Sequence, residues 1–394
     1  MIIIQRCQSY RNEDVRAALM QVFEGLGGLD TVVPAGARVM LKPNLLSAKP
    51  PDKAATTHPA IVAGVLELVR SRTQRVTVGD SPALGDAVSV AQRSGIAQVC
   101  RDLDVPVVDF RDSVRIRTPE GSMFRDLEVA REVLDADVVI NLPKLKTHGM
   151  MRMTAGVKNM FGCVVGERKP QWHLRAGRDG EFFATMLVEL YEAIRPAVTI
   201  VDAVVAMEGQ GPGSGQPRQV GLLIAGSNAH HLDWACARLI GFAPSDVPTL
   251  SVAGRRGLVR EEDVRVNTPL EPLEPGFAEP RPVDPDSSMP AFLKTFLRRY
   301  VTSRPIIIRR ECRRCMECLR ICPAGAISNV DKQPRIDYSR CIRCYCCQEI
   351  CPYNAIRVRA GLLLKLYHTV PHRPIIRLAR WLRRPFAGIR RPGR

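Results

Sequence analysis

Cys312-Arg-Arg-Cys315-Met-Glu-Cys318-Leu-Arg-Ile-Cys322-Pro323 and Cys341-Ile-Arg-Cys344-Tyr-Cys-Cys347-Gln-Glu-Ile-Cys351-Pro352 are the most informative runs of this 394-residue chain. Both read C-x2-C-x2-C-x3-C-P, and they are offset by 29 residues. The echo continues past the prolines, where Ala326-Ile327 is answered by Ala355-Ile356. Residues 305–359 therefore read as one module built on an internal repeat.

The spacing has a physical reason. Three thiolates at i, i+3 and i+6 on a tight loop wrap three corners of an iron–sulfur cube. The fourth cysteine, beside proline, faces away and completes the other cube. On that pattern one 4Fe–4S cluster takes Cys312, Cys315, Cys318 and Cys351, and a second takes Cys341, Cys344, Cys347 and Cys322. Structural zinc is the competing reading. It uses four ligands, usually as two C-x2-C pairs, and fits two runs of four with trailing prolines poorly. The module resembles the bacterial-type two-cluster ferredoxins over about 50 residues, which implies a small α+β domain. Cys346 is left over and reads as a non-ligand thiol beside Cys347. Arg313, Arg314, Arg320, Arg340 and Arg343 surround the ligands; positive charge there favours the reduced clusters and suits an acidic electron donor.

Outward from the module, the composition is that of a globular protein: 45% hydrophobic residues and 25% charged. A body this long buries a core without metals. The 13 cysteines do not suggest a disulfide framework, because that belongs to short secreted chains. Only Ile2–Ile4 are apolar after Met1, too few for a signal peptide, and no run of 18 apolar residues exists. The expected location is the cytoplasm. The formal net charge of +17 points to an acidic partner.

Residues 1–262 alternate short β-rich runs with helical stretches, the pattern of an α/β domain with a largely parallel or mixed sheet. Expected strands include Ile2–Ile4, Ala37–Leu41, Arg75–Val78, Ala136–Leu142, Ala197–Val205 and Val220–Ala225. Helices are expected at Pro59–Arg70, Val88–Leu103, Ala184–Ile194 and His231–Leu239. Polar segments follow the strands, where open α/β sheets bind ligands: Lys42-Pro43-Asn44 with Thr56-Thr57-His58-Pro59, then Gly79-Asp80-Ser81-Pro82. Asn141-Leu-Pro143-Lys144-Leu-Lys146-Thr147-His148 continues to Lys158-Asn159-Met-Phe-Gly162, and Asp202 leads to Glu208-Gly209-Gln-Gly211-Pro212.

Over residues 38–245 these segments resemble a family of iron–sulfur-centre proteins catalogued as domain of unknown function 362. The resemblance implies an α/β fold, frequent fusion to a two-cluster ferredoxin module and a redox role. It supplies no substrate. From the residues themselves, Lys144, Lys146, His148 and Lys158 are the candidate catalytic groups. Cations and an imidazole near a turn suit a carboxylate or phosphate, and His148 is the candidate proton donor. Lys42, Asn44, Asp80, Asp202 and Glu208 are candidate cofactor-binding residues; the three acids either hold a metal or pair with the lysines. No G-x-G-x-x-G follows a strand, and no P-loop is present.

Residues 263–290 read as a Pro-rich linker and 291–304 as a connecting helix. Residues 360–394 carry nine Lys or Arg and no acid. A helix from Ile375 to Arg384 would put Ile375, Leu378, Trp381 and Leu382 on one face, the mark of an interfacial amphipathic helix. An anionic membrane surface and a protein surface compete as its partner. Nucleic acid is disfavoured, because no nucleic-acid motif accompanies the charge. The expectation is an oxidoreductase fed by reduced ferredoxin or a similar donor, acting on a small molecule or lipid. A location peripheral to the inner face of the membrane follows if the tail binds lipid. The competing expectation is a non-enzymatic electron-transfer or maturation partner.

Overall fold

The computed structural model describes residues 1–280 and 304–359, apart from 83–84, 125, 167, 170–171, 173–175, 177–178, 323 and 342–345. The connecting helix expected before Arg304 and the basic tail expected at 360–394 lie outside these residues, as do Cys344 and the side chain of Cys346.

The large domain is a mixed nine-stranded sheet covered by helices. Its strands are β1 (Ile3–Arg6), β2 (Val39–Pro43), β3 (Val76–Asp80), β4 (Val107–Asp109), β7 (Val138–Leu142), β8 (Lys144–His148), β9 (Arg152–Thr154), β10 (Val198–Glu208) and β11 (Gln216–Gly226). A separate hairpin, β5 (Ser113–Arg117) with β6 (Asp126–Ala130), was not foreseen. The order is β1-β11-β10-β7-β2-β3-β4, parallel from β10 to β4 and antiparallel at the β1 edge.

Alternation along the strands sends Val39 and Leu41 into one core with the helices Asn12–Gly25 and Pro59–Arg70. It sends Met40 and Val139 into a second core with the helix Gly180–Ile194. Ile2, Val201 and Ile224 pack on the helices Ala229–Leu239 and Pro248–Arg255. The helix Pro59–Arg70 begins where expected, with Pro59 at its first position and His58 Nδ1 accepting from Ala60 N at 3.2 Å. The expected single helix Val88–Leu103 is two, Ala87–Arg93 and Ile96–Asp102. Gly95, at φ +80, breaks it.

Residues 264–280, the first part of the stretch read as a linker, are extended but lie against the large domain. Asn267 Oδ1 accepts from Ile4 N at 2.8 Å, Phe277 is buried, and Leu273 N donates to Leu239 O. Packing on the large domain thus runs past residue 262. In the small domain β12 (Arg304–Ile307) pairs with β15 (Ile356–Arg359), and β13 (Ile327–Val330) with β14 (Gln333–Ile336), all antiparallel.

Candidate functional site

β7 and β8 are one strand kinked at Pro143. Both run parallel to β10, so Lys144 lies opposite Asp202. Every residue of β8 is buried although four of the five are polar. Burying an unpaired ammonium is prohibitive, so each lysine requires oxygens around it. Leu145 enters the apolar core beside Val201, and Thr147 Oγ1 donates to Gly209 O at 2.9 Å.

Lys144 Nζ stands 2.5 Å from Asp202 Oδ2 and donates to the Tyr10 hydroxyl at 2.9 Å and to Val205 O at 3.0 Å. Tyr10 in turn donates to Asp202 Oδ1 at 2.8 Å, and His58 N donates to Asp202 Oδ2 at 2.9 Å. The Tyr10 ring stacks on His58 with centroids 3.5 Å apart. Burial lowers the Lys144 pKa against the pull of Asp202, and burial and then Asp202 raise that of Tyr10.

Burial, and more weakly Lys144, push His58 down to about 4 against the opposing charge of Asp202. The unfolded imidazole titrates near 6.5. The folded protein thus binds fewer protons, and the His58 contribution, complete above about 6.5, is lost as pH falls through about 4. The expected result is an acid-side decline in stability across that window that is shallower in His58→Gln, measured by urea unfolding at several pH values.

A second pair lies one strand over. Lys42 Nζ is 2.9 Å from Asp80 Oδ1, and neither side chain is more than 4% exposed. Leu45 N and Ser81 N also donate to Asp80, and Lys169 Nζ donates to Ser81 O. Burial pushes Lys169 down to about 7 and the neighbouring Cys163 thiol up to about 12. Gly162 closes this pocket of charge. A β-carbon there would stand 2.0 Å from Asp80 Oδ1 and 2.4 Å from Lys42 Nζ. Gly162→Ala is therefore expected to cost at least about 1–3 kcal/mol of stability by overpacking, read from the shift of a denaturant midpoint.

Lys146 Nζ donates to Asn44 Oδ1 at 2.7 Å and Ala55 O at 2.8 Å. A chain of amides continues inward: Asn44 Nδ2 to Asn159 Oδ1, and Asn159 Nδ2 to Asn141 Oδ1, both at 2.8 Å. His148 Nδ1 accepts from Met150 N at 3.1 Å and Met151 N at 3.0 Å, so the proton of a neutral ring sits on Nε2. Lys158 is only partly buried and lies 6.0 Å from the Phe161 ring centroid. Glu208 stands apart, at the far end of β10, where it accepts from Arg218 Nη1 at 2.8 Å and Ala278 N at 3.0 Å.

In the small domain Cys312, Cys315, Cys318 and Cys351 line one pocket with Ile307 and Ile356. Burial and then the thiols of Cys315, Cys312 and Cys351 push Cys318 up to about 11; iron would reverse this by holding the thiolates. Among the described residues no three His, Cys, Asp or Glu converge on a single ion. Four thiols lining one pocket are the donor set of one 4Fe–4S cube. Cys341 and Cys347 are buried and Cys322 is partly buried.

The sequence pattern of a 4Fe-4S dicluster domain matches residues 304–352, and that of a domain of unknown function, DUF362, matches residues 39–238. The chain belongs to the DUF362 family. This DUF362 chain is 43% identical over 257 residues to a thylakoid-associated protein of Synechocystis sp., covering 65% of itself and 79% of that relative. Two solved structures share parts of its shape. The lactate racemase apoprotein of Thermoanaerobacterium thermosaccharolyticum aligns with TM-score 0.42 and 14% identity, over 62% of this chain and 57% of that one. A Thermotoga maritima protein aligns with TM-score 0.39 and 12% identity, over 64% and 60%. Among the described residues no helix is long and apolar enough to cross a membrane.

The DUF362 domain thus gathers Lys42, Asn44, Asp80, Lys144, Lys146 and Asp202 around the ends of β2, β3 and β7 and the middle of β10, and uses the acids as partners of the lysines. Sequence reading missed Tyr10 and Lys169 as members of this network. His58 was noted only as part of Thr56-Thr57-His58-Pro59. A lone Tyr or Lys in a loop carries no local signal of what it will meet.

Proposed function

We propose that the protein is an iron–sulfur oxidoreductase that delivers single electrons to a substrate held in the large domain, a reductase supplied by reduced ferredoxin or a similar donor. Cys312, Cys315, Cys318 and Cys351 hold one 4Fe–4S cluster, and Cys341, Cys344, Cys347 and Cys322 a second. Such clusters, when bound, store and pass one electron at a time. The supporting observation is the density of buried cations at the strand ends of the large domain, joined to the cluster module through Lys49, whose ammonium donates to Asn354 Oδ1 at 2.5 Å. Lys144 and Lys146 would stabilise negative charge on the substrate, and His148, protonated at Nε2, would supply a proton. The basic tail, together with a relative described as thylakoid-associated, supports work at an anionic membrane surface on a lipid or isoprenoid.

One observation favours a second reading, that of an electron-transfer or maturation partner. Lys144 is already engaged by Asp202, Tyr10 and Val205, so a substrate would have to displace them. The test has two arms. Anaerobically purified protein should carry about eight irons per chain. Lipid and metabolite profiles of a deletion strain should be restored by the wild type but not by His148→Ala. If His148→Ala restores them while Cys315→Ser does not, the proton-donor role is wrong.

A further inference from the structure

Among the described residues, the hydrogen bonds between the cluster module and the large domain fall on both sides of Cys351. Gln348 Nε2 donates to Gln210 O at 3.1 Å. Asn354 Oδ1 accepts from Lys49 Nζ at 2.5 Å and from Ser214 Oγ at 3.4 Å. Gln348 and Asn354 stand three residues before and three after Cys351, which is 7% exposed, while Cys315, which lines the same pocket, is exposed. Among the described residues these hydrogen bonds come from two segments of the large domain, the loop after β2 and the loop after β10. Lys49 ties the two together by a second bond to Gly213 O at 2.5 Å.

This seat has no slack. A β-carbon on Gly211 would stand 2.0 Å from Thr147 O, and one on Gly215 would stand 2.4 Å from Glu208 O. Thr147 lies between Lys146 and His148 on β8. Packing is therefore continuous from the Cys351 edge of the module, through the glycine loop, to the strand that carries the buried lysines. Lys49 is itself only 3% exposed. Its charge acts on Cys351 across a low-dielectric interface, where it counts for far more than a surface lysine.

We propose that Lys49 is the positioning residue of this interface. It seats the Cys351 edge of the module on the large domain and holds the cluster ligated there at a more positive potential than the same cluster would have without it. The proposal rests on the assignment of Cys351 to a cluster under the reading above, but it needs no substrate. A buried cation stabilises the more negative, reduced form of its neighbour. The bond from Lys49 to the module falls on Asn354, three residues from Cys351, so the cluster ligated by Cys351 should feel the charge more strongly than the second.

The test uses the full chain, purified anaerobically with clusters in place, in wild-type, Lys49→Met, Lys49→Arg and Gln348→Ala forms. Lys53→Met serves as the control, because Lys53 is exposed and pairs with Asp52. Potentiometric titration followed by electron paramagnetic resonance at pH 7 should move one of the two cluster signals to more negative potential in Lys49→Met and leave the other in place. Lys49→Arg should restore it. Small-angle scattering should show a larger radius of gyration for the Lys49→Met, Gln348→Ala double variant. Unchanged potentials and shape at wild-type iron content would overturn the proposal, as would an equal shift in Lys53→Met. Should Lys49→Met lose iron, the neutral Lys49→Gln carries the same comparison. Failure here with redox-active clusters leaves the reductase reading standing. An intact seat with no electron delivery counts against that reading alone.

Discussion

Asp202→Ala is expected to lower the unfolding free energy by about 3–5 kcal/mol, the range for removing one partner of a buried ion pair. Asp202 is fully buried and receives Lys144, the Tyr10 hydroxyl and His58 N, all within 2.9 Å. Without it an ammonium stays in the core with its carboxylate gone, while Tyr10 and the start of the helix Pro59–Arg70 lose their acceptor. At roughly 2–4 °C per kcal/mol for a domain of this size the melting midpoint should fall by about 6–20 °C. The control is Asp52→Ala, at an exposed pair, which should leave the midpoint almost unmoved because solvent screens it. Combining Asp202→Asn with Lys144→Met should recover part of the loss, since removing both charges also removes the unpaired one. A loss below about 1 kcal/mol for Asp202→Ala would mean that water reaches the pair.

Cys351→Ser is expected to halve the iron, from about eight to about four per chain. The residue belongs to the second run in sequence but shares a pocket with Cys312, Cys315 and Cys318 of the first. Its loss should therefore remove the cluster of the other repeat and spare that of Cys341, Cys344, Cys347 and Cys322. Cys346→Ser should keep all the iron. Iron and sulfide analysis with electron paramagnetic resonance reads both outcomes. Eight irons in Cys351→Ser would disprove the crossing-over of ligands, and loss of iron in Cys346→Ser would make Cys346 a ligand.

Much of the fold was legible because its elements follow local rules. Pro59 after His58 marks a helix start, and the apolar run at Val138–Leu142 marks a buried parallel strand. β8 was not legible. Lys144-Leu-Lys-Thr-His148 is read as a polar segment beyond a strand, yet it is a fully buried strand. What buries it is Asp202, Asn44 and Gly209, supplied by other strands and loops, and no window around residue 146 contains them. The hairpin β5–β6 escaped for a related reason: Val114, Ile116, Leu127 and Val129 make runs too short to stand out. The 4Fe-4S domain was legible because one motif carries both spacing and chemistry. The partners of the lysines were foreseen only as one of two options for Asp80, Asp202 and Glu208. Glu208 pairs instead with Arg218, a residue near in sequence across the β10–β11 turn.

The edge strand β1 pairs Ile3 with Ala225, which ties the earliest residues of the chain to some of the last in the sheet. During synthesis β2, β3, β4 and β7 can pair among themselves as they emerge. β1 must wait until β11 leaves the ribosome. Every strand of the sheet, and then residues 264–280, is thus translated before Cys312. Lys49 and the glycine loop are likewise translated before Cys351. The cluster module is thus the last described part of the chain to be made, and its seat on the large domain is encoded entirely upstream of it.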